Sequence, residues 1–252
     1  MARYQVLLAY DGSEFSGFQR QSGTRTVQGV VEAALKALGW RGKSLLAAGR
    51  TDTGVHATGQ AIAFDLNWSH STDDLLRALN ANLPADLAIR QVRLTSLDFH
   101  PRYAALGRRY QYHIFCDGVR QPLKERYTWR VWPEVDLSAV VEAGKYLIGT
   151  YDFSAFGNPP RKGGSTTRTV LRAGWLQNEA DLIFDITGNA FLYQMVRRIV
   201  ALLVSVGQGR AKPIIVKQYL EGAELKPLQL LAPPQGLFLV EVIYPHKAES
   251  WL

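Results

Sequence analysis

Residues Ala48-Gly49-Arg50-Thr51-Asp52-Thr53-Gly54-Val55-His56 set one carboxylate in a glycine-bracketed loop, two residues after a guanidinium. A lone acid presented on a rigid connection can attack or stabilise a cationic, sugar-like centre, as carboxylates do in glycosidic chemistry. The same residue types also make ordinary turns. Asp52-Thr53-Gly54 matches the tripeptide of aspartic proteases, but those need two carboxylates sharing a proton, and the chain has one copy. Arg50 argues further against that chemistry, because a nearby cation favours the ionised acid. The five histidines (His56, His70, His100, His113, His246) lack the paired spacing of metal sites. Cys116 lies in an apolar strand pattern and reads as a small buried hydrophobe. The glycines around the loop are not followed by the helix and Lys of a phosphate cradle. Neither a metal nor a small-molecule cofactor is expected.

The elements that must position Asp52 can be read from periodicity. Alternation marks a strand over Tyr4 to Tyr10, ended by Asp11-Gly12-Ser13. Val27, Val30, Val31, Ala34, Leu35 and Leu38 recur at helical spacing, predicting a helix from about Thr26 to Leu38. Apolar runs at Ser44 to Ala48 and Gly59 to Phe64 predict strands on either side of the loop. A helix opens at Ser71 and runs through Leu79, and Leu87 to Leu97 reads as a strand. The order is β-α-β-β-α-β. The second half repeats it, with strands over Tyr110 to Cys116, Thr169 to Gln177, Leu182 to Thr187 and Gly236 to Tyr244. Its helices are expected from Asp136 to about Ile148 and from Phe191 to Val206, with a short one near Pro213 to Leu220. Gly157 to Thr167 reads as a mobile basic loop. The expected fold is α+β: two ferredoxin-like halves, residues 1–104 carrying the Asp52 loop and 105–252 completing the cleft, joined into a central antiparallel sheet flanked by helices.

Bulk properties narrow the partner. The 252 residues are 47 % hydrophobic and 20 % charged, which suits a globular chain. No apolar run is long enough to span a bilayer, the N-terminus carries no signal-peptide pattern, and a single cysteine fits a reducing compartment. A cytoplasmic protein is expected. The net charge is +7, with 20 Arg against 9 Lys. Seven basic and two acidic residues fall between His100 and Arg130. Arginine forks suit phosphates and bases, so a polyanionic partner is expected. A base buried in a stack must be flipped out before chemistry, and Arg and aromatic side chains can fill the space or sandwich the base. Tyr110 and Tyr112, on one face of a strand beginning Arg108-Arg109, could supply such a surface; ordinary strand packing is favoured for Tyr112.

Several motifs occur together in order: the Asp52 loop; Tyr10-Asp11-Gly12-Ser13 with Gly17-Phe18-Gln19-Arg20-Gln21; Asn80-Ala81-Asn82-Leu83-Pro84; Phe99-His100-Pro101-Arg102-Tyr103 with Arg108-Arg109-Tyr110-Gln111-Tyr112; Asn189-Ala190-Phe191 through Arg197; and Gly236-Leu237-Phe238-Leu239-Val240. On these the chain resembles the TruA family of tRNA pseudouridine synthases over nearly its whole length. It departs at Thr53 and Pro101, where the family usually has Ala, and at Phe18, where Trp is common. The resemblance implies a pseudouridine synthase fold and isomerisation of uridine on the 3′ side of the tRNA anticodon arm, by a homodimer and without a cofactor. It implies that Asp52 is the catalytic carboxylate and that Arg50 enters the space left by the flipped nucleotide or holds its phosphate. Tyr110 would stack on the uracil, Arg197 would orient Asp52 by an ion pair, and Leu237 would wall the pocket. Arg109 and Arg168 are assigned to substrate binding. The alternative is a non-catalytic protein that binds tRNA or another RNA through the same basic surface.

Overall fold

The computed structural model describes residues 1–159, 161, 163–179, 181–222 and 228–245. Pro160 and Lys162 of the basic loop, and His246, lie outside the described residues. The chain forms two compact units, Met1–Leu106 together with the segment from Phe238, and Gly107–Leu237.

The first unit runs β1 (Ala2–Tyr10), α1 (Val27–Ala37), β2 (Leu46–Ala47), β3 (His56–Leu66), α2 (Thr72–Ala81) and β4 (Leu87–Thr95). β1 is central, antiparallel to β3 (Val6 opposite Ile62) and to β4 (Val6 opposite Val92). β2 pairs with β3 on its other edge, with Ala47 opposite Ile62. β3 is buried along most of its length, with the apolar run Ala61 to Phe64 at its centre and the polar Gln60 buried beside it. The helix starts follow capping chemistry. Thr26 Oγ1 accepts from the Gly29 N–H at the head of α1, and Ser71 and Asp74 form a reciprocal capping box at the head of α2.

The second unit contains β5 (Gly107–Cys116), α3 (Pro122–Glu125), β6 (Trp129–Val131), α4 (Leu137–Lys145), β7 (Gly149–Asp152), β8 (Thr167–Asn178), β9 (Asp181–Gly188), α5 (Met195–Gly207) and α6 (Ile215–Leu220). β9 lies between β5 and β8, antiparallel to both, and β7 extends the sheet beyond β8. β6 runs parallel to β5. Five of the six elements expected for the repeat lie in this unit, as β5, α4, β8, β9 and α5, whereas the sixth, the strand expected over Gly236 to Tyr244, falls with the first unit from Phe238 on; α3, β6 and β7 are short insertions too brief to show periodicity. The last strand, β10 (Leu237–Ile243), pairs in parallel with β3, Phe238 opposite His56.

One boundary is corrected. The expected helix from Phe191 begins only at Met195. Gln194 adopts φ +60°, and the Tyr193 N–H donates to the Asn158 carbonyl at 3.0 Å, so this stretch is tied to a neighbouring loop instead of continuing the helix. No helix among the described residues is long and apolar enough to cross a membrane.

An ion pair between the half-buried Arg109 and the buried Asp185 ties β5 to β9. Arg109 Nε and Nη2 donate to Asp185 Oδ2 at 2.9 and 2.7 Å, and Gln111 Nε2 donates to the same oxygen at 2.9 Å. Burial alone would raise the Asp185 carboxyl, but the bonds from Arg109 and Gln111, with the charges of Arg109 and Arg172, hold it below the usual carboxylate value. A group depressed in the folded state stabilises above its unfolded value and loses that contribution as pH falls through the folded one. Asp185→Asn should therefore cost about 2 kcal/mol at pH 7, within the range for lost hydrogen bonds to a charged group. In urea titrations at a series of pH values, the gap to the parent should close as the pH drops below about 4; a gap independent of pH would refute the ionic account.

Candidate active site

The Asp52 loop is clamped by the segment that follows β1. The Phe18 N–H donates to the Thr51 carbonyl at 3.0 Å, the Gly54 N–H reaches the Phe15 carbonyl at 3.4 Å, and the Tyr10 and Thr51 hydroxyls lie 2.8 Å apart. The Val55 N–H closes a turn onto the Asp52 carbonyl at 3.2 Å, with Gly54 at φ +76° where glycine is favoured. Backbones meet so closely that a Cβ on Gly12 would sit 2.1 Å from the Val55 carbonyl oxygen. Below the loop, the Gly12 N–H donates to His56 Nδ1 at 2.9 Å. That bond needs the Nδ1 lone pair, so the ring proton belongs on Nε2. The Asp11 carboxylate also approaches this nitrogen, at 3.2 Å. The outcome is a half-buried Asp52 and an exposed Arg50 on a backbone with little freedom.

A buried polar network sets the approach to this loop, and periodicity did not reveal it. Gln28 and Glu32 turn inward on α1, whereas Val30 and Leu38, expected in its apolar face, are only half-buried. Glu32 Oε1 accepts from the Leu45 N–H at 3.1 Å and from Gln28 Nε2 at 2.8 Å, and Glu32 Oε2 is paired with Arg20. Gln28 Nε2 also donates to Ser44 Oγ at 2.8 Å. Further along, Gln60 Nε2 donates to the Gly49 carbonyl at 3.1 Å. The available signal was the i, i+4 pair of Gln28 and Glu32 beside an apolar stripe, downstream of Arg20.

The second unit carries the other expected residues. Tyr110 is 9 % exposed on β5, its ring edge-on to Phe191 at 5.2 Å between centroids. Tyr112 is fully buried and donates its hydroxyl to the Pro233 carbonyl at 2.7 Å, in keeping with a packing role; burial pushes its phenol well above the ordinary value. Arg197, in the first turn of α5, is buried and grips the chain beside it twice. Its Nε donates to the Ala232 carbonyl at 2.8 Å, and its own carbonyl accepts from the Ala232 N–H at 3.2 Å. Tyr112 and Arg197 thus hold the run that leads through Gly236 to the buried Leu237. Arg168 Nη1 donates to the Ser165 and Thr167 carbonyls at 2.9 and 2.6 Å. Arg109 is engaged with Asp185 as described, so an RNA phosphate would compete with that pair. Cys116 is half-buried, and burial raises its thiol, which disfavours the nucleophilic thiolate. Among the described residues no group of three or more His, Cys, Asp or Glu is placed to hold a metal ion.

Comparison with known proteins identifies the family. The family model described as tRNA pseudouridine synthase matches residues 7–104 and 143–245, which include Asp52 and Arg197 and leave Tyr110 in the stretch between. Proteins named tRNA pseudouridine synthase A are similar over nearly the full chain. The one from Thermotoga petrophila is 40 % identical over 248 residues, covering 97 % of this chain and all of the relative. That from Fervidobacterium nodosum is 41 % identical over 247 residues with the same coverage, and that from Latilactobacillus sakei is 39 % identical over 249, covering 96 % and 98 %. The chain belongs to the tRNA pseudouridine synthase family, a family of isomerases.

The clamp can be tested with two glycines. Gly12→Ala forces a Cβ into the Val55 carbonyl and should cost about 2 kcal/mol, lowering the melting temperature by roughly 4–8 °C. Gly49→Ala adds a Cβ that meets nothing within 4 Å and should melt within a degree or two of the parent. Equal melting temperatures for Gly12→Ala and the parent would refute the clamp.

Proposed function

We propose that the protein converts uridine to pseudouridine in the anticodon stem-loop of tRNA, with Asp52 as the reacting carboxylate. The observation that carries this reading is the presentation of Asp52, half-buried beside an exposed Arg50 on a loop clamped backbone to backbone, in a chain of this family. The reaction breaks the bond from ribose C1′ to uracil N1 and makes one from C1′ to C5. N1 gains a proton and C5 loses one, so no oxidant, reductant or energy source is consumed. Asp52 acts at the glycosidic bond. Arg50 occupies the space of the flipped nucleotide or holds its phosphate, and Tyr110, its ring fixed against Phe191, offers the uracil a rigid stacking face. Arg197 orients Asp52, and Leu237 walls the pocket so that the detached uracil turns without escaping to water. Arg168 supplies a cation to the RNA. Arg109, engaged with Asp185, steadies the strand that carries Tyr110. The basic surface makes binding a matter of phosphate and shape, hence strongly salt-dependent. We assign the enzyme to the cytoplasm and to a homodimer with one tRNA spanning both subunits.

Tritium release from bulk tRNA labelled at uracil C5 tests the reading, provided the tRNA lacks the modification. The parent should release tritium, and Asp52→Asn should bind the same tRNA with near-parent affinity and release none above background. A well-folded parent that binds tRNA without release would make the chain an RNA-binding protein instead. Arg197→Met should lose most turnover while staying folded, at a stability cost of about 1–2 kcal/mol for the Ala232 carbonyl left without its donor; unimpaired turnover would remove Arg197 from the mechanism.

A further inference from the structure

The turn after β4 holds an aromatic ring out in solvent on a backbone fixed from several sides. Phe99 is buried against Tyr244, with ring centroids 5.5 Å apart, and Arg3 Nη1 donates to the Phe99 carbonyl at 3.0 Å. The Tyr244 hydroxyl donates to the carbonyl of Pro101 at 2.8 Å. Inside the turn, the N–H groups of Tyr103 and Ala104 both donate to the His100 carbonyl, at 3.1 and 3.0 Å, and the Arg102 N–H donates to His100 Nδ1 at 3.1 Å. On this frame Tyr103 is 74 % exposed. The His100 ring lies against it at 4.4 Å between centroids, and the exposed Arg102 holds its guanidinium 6.0 Å from the Tyr103 ring.

A single exposed aromatic is ordinary on a protein surface. This one combines three properties that an incidental ring lacks. Its backbone is anchored, and Pro101 restricts it further through a fixed φ. An imidazole backs one side of the ring; burial, helped by Arg102 and Arg3, lowers the His100 value, so that it lies there uncharged at neutral pH. A guanidinium beside it can meet a phosphate or stack in its own right. A nucleobase in an unpaired segment, with its adjoining phosphate, needs this set of groups.

We propose that Tyr103, backed by His100 and flanked by Arg102, is an RNA-stacking platform, on which an unpaired base of the tRNA lies with its phosphate at Arg102. The inference rests on the tRNA reading above and adds a contact made by none of the residues assigned there. The platform acts on binding and leaves the chemical step alone.

The test pairs the equilibrium affinity for an unmodified full-length tRNA transcript with single-turnover tritium release at saturating enzyme. Tyr103→Ala and Tyr103→Leu should each weaken affinity about tenfold, within the range of base–aromatic stacking, with no change in the saturating rate. Tyr103→Phe should bind within twofold of the parent, because the π face and not the hydroxyl does the holding. Arg102→Gln should flatten the slope of log affinity against log salt by about 0.7–0.9. The ring is exposed, so melting temperatures should not move. Parent-like affinity for Tyr103→Ala, or a Tyr103→Phe as weak as Tyr103→Ala, would overturn the platform. So would a loss confined to the saturating rate. These results are separable from failure of the isomerase reading: a parent that binds but releases no tritium sinks the chemistry and leaves the affinity comparison to be judged by itself.

Discussion

The approach of backbone to backbone around the Asp52 loop constrains everything placed on it. Side chains can repack around a lost methyl, but two main chains within a Cβ's radius leave nothing to adjust. At Gly12 the added atom would strike the Val55 carbonyl, and at Gly59 it would lie 1.9 Å from the carbonyl oxygen of Val240. The loop is therefore held between the segment after β1 on one side and the strand β10 beyond Gly59 on the other.

The network in which the buried Gln28 and Glu32 meet the exposed Arg20 and Ser44 supplements that constraint from the N-terminal side. An ionised side chain as enclosed as Glu32 is costly unless each lone pair finds a donor, and here the donors come from α1, from the segment after β1 and from the main chain at Leu45. The network thereby fixes one geometry for the chain entering the loop, and a shift in any member would leave a buried group unsatisfied. In the second unit, Arg197 performs a comparable service for the run before Leu237, using its Nε and its own carbonyl against one residue, Ala232.

Much of this was legible in the sequence because local chemistry and long-range packing agree. Thr26, Ser71 and Asp136 announce helices that form where they stand as N-caps. Alternation located the long strands within a few residues, whereas the residue types of the Asp52 loop suit an ordinary turn as well as a reactive carboxylate. What stayed hidden depends on contacts between distant positions. The start of α5 shifts because Tyr193 answers to Asn158, 35 positions earlier. The inward turn of Glu32 depends on donors beyond its own helix, and the bond from Arg109 to Asp185 spans 76 positions. The pairing of β10 with β3 is of the same kind: alternation gives a strand, and only the folded chain says which edge it covers.

That pairing has a consequence for how the molecule comes into being on the ribosome. His56, which lies under the Asp52 loop, is stacked by Phe238 at 4.7 Å between centroids, and the neighbouring edge of β3 is covered by a strand that follows it by roughly 180 residues. At roughly 5–20 residues per second of synthesis, that edge waits on the order of 10–40 s for its partner. During that interval the nascent chain displays open strand hydrogen-bonding groups beside its reactive loop. Synthesis of β10 is thus also the event that closes the floor of the loop, and a product cut short before it would be both inactive and prone to pair with the wrong neighbour.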